Sequence, residues 1–477
     1  MGTDGATLYS QLANILPADQ ILVGDAVTRA YDGDAYPIDR SRPVAIVLPT
    51  TTEEVAAVVR FCSTNGIPFT PRGAGTGLSG GAMPALGGVV ISTKRMTKIL
   101  EIDVKHRRLL AQAGIANLTL SHAVADAGLH FAPDPSSQSV STLGGNIAEN
   151  SGGPHTLKYG VTTQHILGVT LVTDTGEIQQ IGNQVPGGPG SELLDLVIGS
   201  EGTLGIVTEA WVKLTPLPAS TATALVAFLE TQLATQSVSN ILAAGVVPAA
   251  LEMLDRNILV AVSAAFDIQF PPATEAMLLI ECDGDESVAA QELAQAIEVC
   301  RGLGAIDIQI AKTSEERAQL WRARKKGIGA MGRLAPTIVT HDGVIPPSRL
   351  PEMLVTVYAT AVEFGLGVAN MFHAGDGNLH PIFYFDERIP GKVEAVIEAG
   401  EKIMRRCIEL GGSVSGEHGI GVEKVDLLAA MFDTDSIELQ RRVQRAFTST
   451  EHCNPCKVIP HGKGCVEHMR RWRGAAT

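Results

Sequence analysis

The sequence predicts an α+β protein in two parts, residues 1–218 and 219–477. Three observations carry this. Residues 44–70 read as a β-α-β pattern, and Pro216 and Pro218 mark a break. Beyond them the composition changes, and Ala-rich helical stretches alternate with strands. A chain of 477 residues is also too long for one ordinary domain.

Taken in order, Leu8, Leu12 and Ile15 recur at helical spacing, so residues 8–16 should form a short helix. Val44–Pro49 is a brief strand. Thr51-Thr52-Glu53-Glu54 opens a helix to about Asn65, with Val55, Val58, Val59 and Cys62 on one face. A threonine before two acidic residues suits the positive end of a helix. Gly66 stops it, and Pro68–Thr70 begins the next strand. Residues 71–88 and 143–153 read as two Gly-rich loops. Residues 161–173 form a strand entering the turn Asp174-Thr175-Gly176, and residues 193–198 and 202–214 follow. In the second part, residues 230–242 and 286–303 are helical, and 277–282 and 305–310 are strands. There is no fixed-period repeat and no low-complexity tract.

Hydrophobic residues make up 45% of the chain and charged residues only 18%, as expected of a well-packed globular protein. The net charge of −14 argues against nucleic acid as the main partner, since a phosphate backbone is gripped by clustered Lys and Arg. A small anionic substrate needs only one or two local cations. The 7 cysteines are mostly scattered, which suits a reducing compartment, the cytoplasm or the inner face of a membrane. Neither a signal peptide nor a run of about twenty apolar residues is visible.

Gly75-Thr76-Gly77-Leu78-Ser79-Gly80 fits G-x-G-x-x-G, but a dinucleotide fold needs a helix starting inside that motif. Gly81-Ala82-Met83-Pro84 and the glycines after it are poor helix formers, so the nicotinamide reading is rejected. Arg72 and the amides of Gly73, Gly75 and Gly77 still suit an anion cradle; a Gly-rich turn without ligand is the alternative.

Longer segments carry a resemblance. Pro68-Phe69-Thr70-Pro71-Arg72-Gly73-Ala74-Gly75-Thr76-Gly77-Leu78-Ser79-Gly80-Gly81 resembles the pyrophosphate loop of the vanillyl-alcohol-oxidase type of FAD domain. Pro133-Asp134-Pro135-Ser136-Ser137, then Thr142 to Gly153, resembles its second flavin segment, and Ile198-Gly199-Ser200-Glu201-Gly202-Thr203-Leu204-Gly205-Ile206-Val207 its third. Phe372-His373-Ala374-Gly375-Asp376-Gly377-Asn378-Leu379-His380-Pro381, Ser415-Gly416-Glu417-His418-Gly419 and Trp321-Arg322-Ala323-Arg324-Lys325 are similar to the FAD-linked D-lactate dehydrogenases and the FAD subunit of glycolate oxidase. The resemblance spans residues 40 to 463 and implies a two-part FAD domain plus a substrate cap of antiparallel sheet and helices, with a C-terminal segment returning to the flavin.

It also implies the cofactor residues. In the first segment these are Pro71, Arg72, Gly73, Ala74, Gly75, Thr76 and Gly77. In the second they are Pro135, Ser136, Ser137, Gly144, Gly145, Asn146, Asn150, Ser151 and Gly152, and beyond it Gly202, Ile206 and Asn454. Ser137, Asn146 and Asn150 could serve the edge of the isoalloxazine ring. Some relatives attach the flavin through a histidine near the first loop; none lies between Pro68 and Gly88, so noncovalent FAD is expected.

Asp376-Gly377 signals a two-residue hairpin, which would set His373 directly opposite His380. Two imidazoles so placed can grip one divalent metal, and Glu417 completes an N/O set suited to Zn²⁺ or Mn²⁺. Ordinary hairpin histidines are the alternative. On the family's pattern His418 is the general base, with a second-layer or ligand role as the other possibility, and Arg324 binds the substrate carboxylate. Arg322, Lys325 and Lys326 read as a solvated helix face. Dicarboxylate-oxidising relatives carry Asn two residues after the second metal histidine; here Ile382 stands there, which favours a short monocarboxylate.

The expected function is oxidation of a small 2-hydroxy acid, glycolate or D-lactate, by FAD with metal and His assistance. D-2-hydroxyglutarate or an alditol is the alternative substrate, and a noncatalytic electron-transfer subunit the alternative role. The resemblance further implies FAD-binding and iron–sulfur partner subunits, and through them peripheral membrane association. At the C-terminus, Cys453-Asn454-Pro455-Cys456 with His452, His461 and Cys465 could bind metal or form a redox pair, though a plain closing loop with incidental thiols is the better reading. The basic run Met469–Arg473 reads as a frayed end, with contact to a partner subunit or a membrane surface as the alternative.

Overall fold

A computed structural model of the chain describes residues 5–188 and 190–460. The chain forms two compact units. Among the described residues, the first takes the chain up to Ser151, then Val161–Pro216 and the chain from His418 to Pro460; the second takes Gly152–Gly160 and Leu217–Glu417.

In the first unit, β1 (Ala45–Val47), α1 (Thr52–Thr64), β2 (Phe69–Arg72) and β3 (Val89–Ser92) build a small parallel sheet in which β3 lies between β1 and β2. α1 starts where Thr51 Oγ1 accepts the Glu54 N–H at 3.2 Å, and its Val55, Val58, Val59 and Cys62 are buried. The chain from Leu78 to Gly88 contains no helix, as the rejection of a dinucleotide motif requires. A second, antiparallel sheet follows. Its members are β4 (Ile99–Asp103), β5 (Arg108–Gln112), β6 (Ile166–Val172), β7 (Ile178–Gly182) and β8 (Ile206–Lys213), in the order β4-β5-β8-β6-β7. β8 alternates buried and half-buried residues, the pattern of a strand with one covered face.

Two sequence expectations need correcting here. Most of the expected second loop is a helix, Leu143–Glu149. Its glycines weaken helix propensity, but Thr142 caps it by accepting from Gly145 N, and Leu143 and Ile147, one turn apart, bury in the core. Asn150 ends it in the left-handed region, φ +52°. The expected strand from residue 161 begins only at Ile166, because residues 162–165 form a 3₁₀ turn.

The second unit is an antiparallel sheet with helices. Its strands are β9 (Ser220–Phe228), β10 (Ala250–Asp255), β11 (Ala276–Gly284), β12 (Asp307–Ile310), β13 (Thr337–Thr340), β14 (Gly343–Val344), β15 (Gly367–His373), β16 (Asn378–Leu379) and β17 (Pro381–Phe385). The main order is β12-β9-β11-β10-β15-β16-β14, with β17 joining β15 to β13. β10 is buried along its whole length, so a charged side chain there must be answered from within the protein. The helix Ser314–Met331 carries Arg324. Among the described residues, no helix is long and apolar enough to cross a membrane.

Candidate active site and metal centre

β15 ends at His373, and β16 pairs Asn378 with His373. The connection is therefore a four-residue turn, residues 374–377, and the expected direct pairing of His373 with His380 is wrong. One tertiary and one local contact hold this wider turn: Gly375 N donates to Leu251 O at 3.1 Å, and Asp376 Oδ1 accepts from Asn378 N at 3.0 Å. His380 lies two residues past Asn378, so it is the diagonal neighbour on the same face, still within reach of a ring. The two imidazole centroids are 5.2 Å apart at 83°.

Glu417 Oε1 sits 3.1 Å from His373 Nε2 and 3.4 Å from His380 Nε2. One ligand atom from each of the three residues lies within 4.8 Å of the others. Bonds of about 2.0–2.2 Å to one tetrahedral ion place neighbouring donors roughly 3.3–3.5 Å apart, so the donor set fits a divalent cation.

Two acids behind this trio were not found from the sequence. Glu252, on β10 and in register with His373, is 0% exposed. Its Oε1 lies 2.7 Å from His373 Nδ1, and its Oε2 accepts from Arg324 Nε. Asp342, also 0% exposed, accepts from Ser415 Oγ at 2.7 Å and Gly416 N at 3.0 Å, which fixes the loop carrying Glu417. Its Oδ1 faces His380 Nε2 at 3.5 Å. An acid in the middle of the apolar run Ala250-Leu251-Glu252-Met253-Leu254 was the available signal.

The electrostatics suit a cation. Burial works against a charged His373, yet Glu252 and Glu417 outweigh it and push its pKa well above the ordinary value. Burial likewise opposes ionisation of Glu252, but His373 and Arg324 hold its pKa down. Asp376, in the turn, is pushed up to about 6 by burial.

Arg324 is buried while Arg322, Lys325 and Lys326 are exposed, so one helix separates an inward cation from a solvated face. Ile382 is fully buried in an apolar cluster with Trp321, Ala323 and Met371, where it offers nothing to a second carboxylate.

In the first unit the expected flavin segments converge. A Cβ on Gly73 would overlap Thr142 Oγ1, and one on Gly202 (φ +70°) would overlap Pro71 Cγ. Gly199 N donates to Ile147 O at 2.9 Å, and Glu201 N to Ala148 O at 2.8 Å. Residues 71–78 remain half-exposed along this junction, together with Ser137, Gly144, Gly145, Asn150 and Ser151, while Pro135 is buried and Ser136 exposed. Such a half-open cradle of close backbone approaches fits a diphosphate cofactor.

Several side chains of the set are engaged internally. Arg72 Nη1 donates to Gly33 O at 2.6 Å with its guanidinium over the Tyr31 ring. Asn146 Nδ2 donates to Asn117 Oδ1 at 2.8 Å, and Asn150 Oδ1 accepts from Thr163 N at 2.9 Å. Ile206, on β8, is buried in the core. Gly152 belongs to the second unit, where a Cβ would lie 3.0 Å from Glu417 Oε2.

His418 directly follows Glu417 in the chain and belongs to the first unit. The turn after it is held by Glu201, whose carboxylate accepts from Ile420 N and, at 2.7 Å, from Gly421 N. Asn454 Nδ2 donates to Glu201 O and to Gly81 O, tying the third segment to the first. Lys457 Nζ donates to Met83 O at 2.7 Å. Burial raises the Glu201 pKa to about 7 and lowers that of Lys457 to about 8. Burial, then Glu201, raises that of Glu149 well above its ordinary value. Lys424 and Lys457 oppose both of these carboxyl shifts, and the cluster of Glu149, Glu201, Lys424 and Lys457 was also missed from the sequence.

At the C-terminus, Cys453 is a free buried thiol whereas Cys456 is disulfide-bonded, so the two are not paired with each other. His461, Cys465 and the run Met469–Arg473 lie outside the described residues.

Comparison with known families gives two matches. Residues 43–182 match an FAD binding domain, and residues 217–458 match the C-terminal domain of FAD linked oxidases. The chain is 40% identical over 464 residues to glycolate oxidase subunit GlcD of Escherichia coli (strain K12), covering 97% of this chain and 93% of that one. It is 34% identical over 449 residues to a D-lactate dehydrogenase of Anaerostipes hadrus, covering 92% and 94%. Among solved structures, p-cresol methylhydroxylase superposes with TM-score 0.78 at 16% identity, covering 94% of this chain and 96% of that one. A 4-ethylphenol oxidase from Gulosibacter chungangensis gives 0.75 at 18%, covering 95% and 96%. These likenesses show the vanillyl-alcohol-oxidase type of fold.

Proposed function

The chain belongs to the FAD-linked oxidases and is an FAD-linked oxidoreductase, and on that footing we propose that it oxidises a small 2-hydroxy acid, glycolate or D-lactate, to the 2-oxo acid. The observation that carries this reading is the meeting of His373, His380 and Glu417, linked through Glu252 to a buried arginine. A metal-binding donor set and a carboxylate-binding cation in one interior suit an α-hydroxy carboxylate.

In this reading, noncovalently bound FAD supplies the hydride acceptor, and a divalent metal, Zn²⁺ or Mn²⁺, supplies a Lewis acid for the substrate oxygens. His373, His380 and Glu417 hold the metal. Arg324 fixes the substrate carboxylate through the edge of its guanidinium that Glu252 leaves unused. His418 accepts the hydroxyl proton; an imidazole titrates in the range this step needs. The residues expected from the flavin segments hold FAD, with Asn454 closing the first segment onto the third.

The relatives named above act on glycolate and D-lactate by their names, and Ile382 disfavours a dicarboxylate such as D-2-hydroxyglutarate. The relative from Escherichia coli is by its name a subunit, which favours work within an assembly; FAD-binding and iron–sulfur partners are what the sequence resemblance adds to that reading. The metal-type donor set disfavours a purely electron-relaying role.

The test is anaerobic bleaching of the bound flavin by glycolate, D-lactate, L-lactate, D-2-hydroxyglutarate and D-malate. Rapid bleaching by glycolate or D-lactate is expected. Bleaching by D-2-hydroxyglutarate alone would overturn the substrate assignment, and no bleaching by any of them would overturn the catalytic one.

A further inference from the structure

We propose that Glu252 is a positioning residue serving both halves of the substrate site: it selects the nitrogen that His373 turns to the metal, and it holds Arg324 by one edge. The inference rests on the metal and carboxylate roles proposed above for His373 and Arg324, and it adds a residue that touches neither metal nor substrate.

Glu252 lies on an interior strand with no exposed surface, and its two oxygens face two different N–H donors. Oε1 meets His373 Nδ1 at 2.7 Å, and Oε2 meets Arg324 Nε. The partners come from different elements, β15 and the helix Ser314–Met331. An ionised carboxylate only accepts, so His373 must carry its proton on Nδ1. Nε2, 3.1 Å from Glu417, is then the nitrogen that gives up its proton and turns its lone pair to a cation. The same carboxylate neutralises a guanidinium that is 6% exposed and would otherwise be an unpaired buried charge.

The chemistry of substitution makes the role specific. A glutamine at this position offers one acceptor and one donor to the same two N–H groups. Arg324 cannot lose its proton, but an imidazole can change tautomer. The amide oxygen should therefore go to Arg324 and the amide NH₂ to Nδ1. The imidazole proton then moves to Nε2, the nitrogen that faces Glu417, and blocks it as a ligand. Removing the competing donor as well should reverse this: with Arg324→Met, the amide oxygen can accept from Nδ1–H again.

The experiment uses the FAD-loaded enzyme, stripped of metal by chelation and titrated with Zn²⁺ and Mn²⁺, with bound metal counted directly. Wild type is expected to bind one ion. Glu252→Gln should weaken that affinity by about 10–100-fold, the usual effect of losing such a supporting acid, with FAD content unchanged. The double variant Glu252→Gln/Arg324→Met should recover metal affinity to within a few-fold of wild type, yet keep a raised KM for the substrate. Equal metal affinity in wild type and Glu252→Gln, or a double variant that binds metal more weakly than the single one, overturns the positioning role alone. Absence of stoichiometric metal in the wild type overturns the metal reading on which it rests. Should Glu252→Gln not be recovered folded, the double variant decides alone: near-native metal affinity supports the proposal and its loss overturns it.

Discussion

At the scale of single residues, both units place ionisable groups where water cannot answer them, and two predictions follow from how they are paired. His380 contributes one of two imidazoles facing Glu417 and takes no part in the flavin segments, which lie mainly in the first unit. His380→Ala should therefore keep its yellow colour and lose about 100-fold or more in turnover, an effect of a few kcal/mol on the barrier. The visible spectrum and the steady-state rate check this, and near-wild-type turnover would remove the metal from the reaction. In the first unit, Glu149 has its pKa raised well above 4.5 by burial and by Glu201. A group raised on folding contributes stability that is fully present below 4.5 and is lost as the pH climbs through its folded value. Wild type should therefore lose Tm toward alkaline pH, while Glu149→Gln, which cannot ionise, should lose less. Each kcal/mol spared is worth about 2–4 °C in a unit of this size, and parallel melting curves for the two proteins across pH would contradict the assignment. His373, His380, Glu417 and Arg324 could be named as candidates from the sequence because they sit in compact motifs, and the first three do lie together. Glu252 was not, because its meaning comes from partners 121 and 72 positions away.

At the scale of elements, local signals worked where local physics dominates. Thr51 capping the helix it precedes, and Gly66 ending it at φ +65°, needed no tertiary information. The turn after His373 shows the opposite case. Asp376-Gly377 is a strong two-residue hairpin signal, but contacts from Gly375 to Leu251 and from Asp376 to Asn378 hold the turn at four residues. The histidines meet all the same, because a shift of two along one strand preserves the face while changing the partner. The helix Leu143–Glu149 was hidden for a related reason. Adjacent glycines mask a pattern that only the burial of Leu143 and Ile147 makes favourable.

At the scale of the whole molecule, the order of contacts does not follow the order of the chain. The first unit begins near the N-terminus and is completed only by residues from His418 onward. Those late residues supply Asn454, which bridges Gly81 and Glu201, and Lys457, which reaches Met83 and lies among the buried acids. A chain stopped after Glu417 should therefore fail to hold FAD and should aggregate, since it would lose the backbone donors of Ile420 and Gly421 that answer Glu201, the bridge through Asn454 and the cover these residues give the first unit. Gel filtration and visible absorbance of that fragment check the expectation; a soluble yellow fragment would contradict it. Which stretches belong together was the least legible feature, because no local signal reports that residues 152–160 pack with the second unit.

The bridge made by Asn454 also sets a timetable for the newborn protein. A ribosome working from the N-terminus delivers the three expected flavin segments early, then some two hundred residues of another unit, and Asn454 and Lys457 near the end. The early segments must wait, incompletely braced, while the intervening stretch is synthesised and can fold as a body of its own. Cofactor capture is then among the last events of maturation, and anything that stalls translation late leaves an empty, sticky intermediate for chaperones to guard.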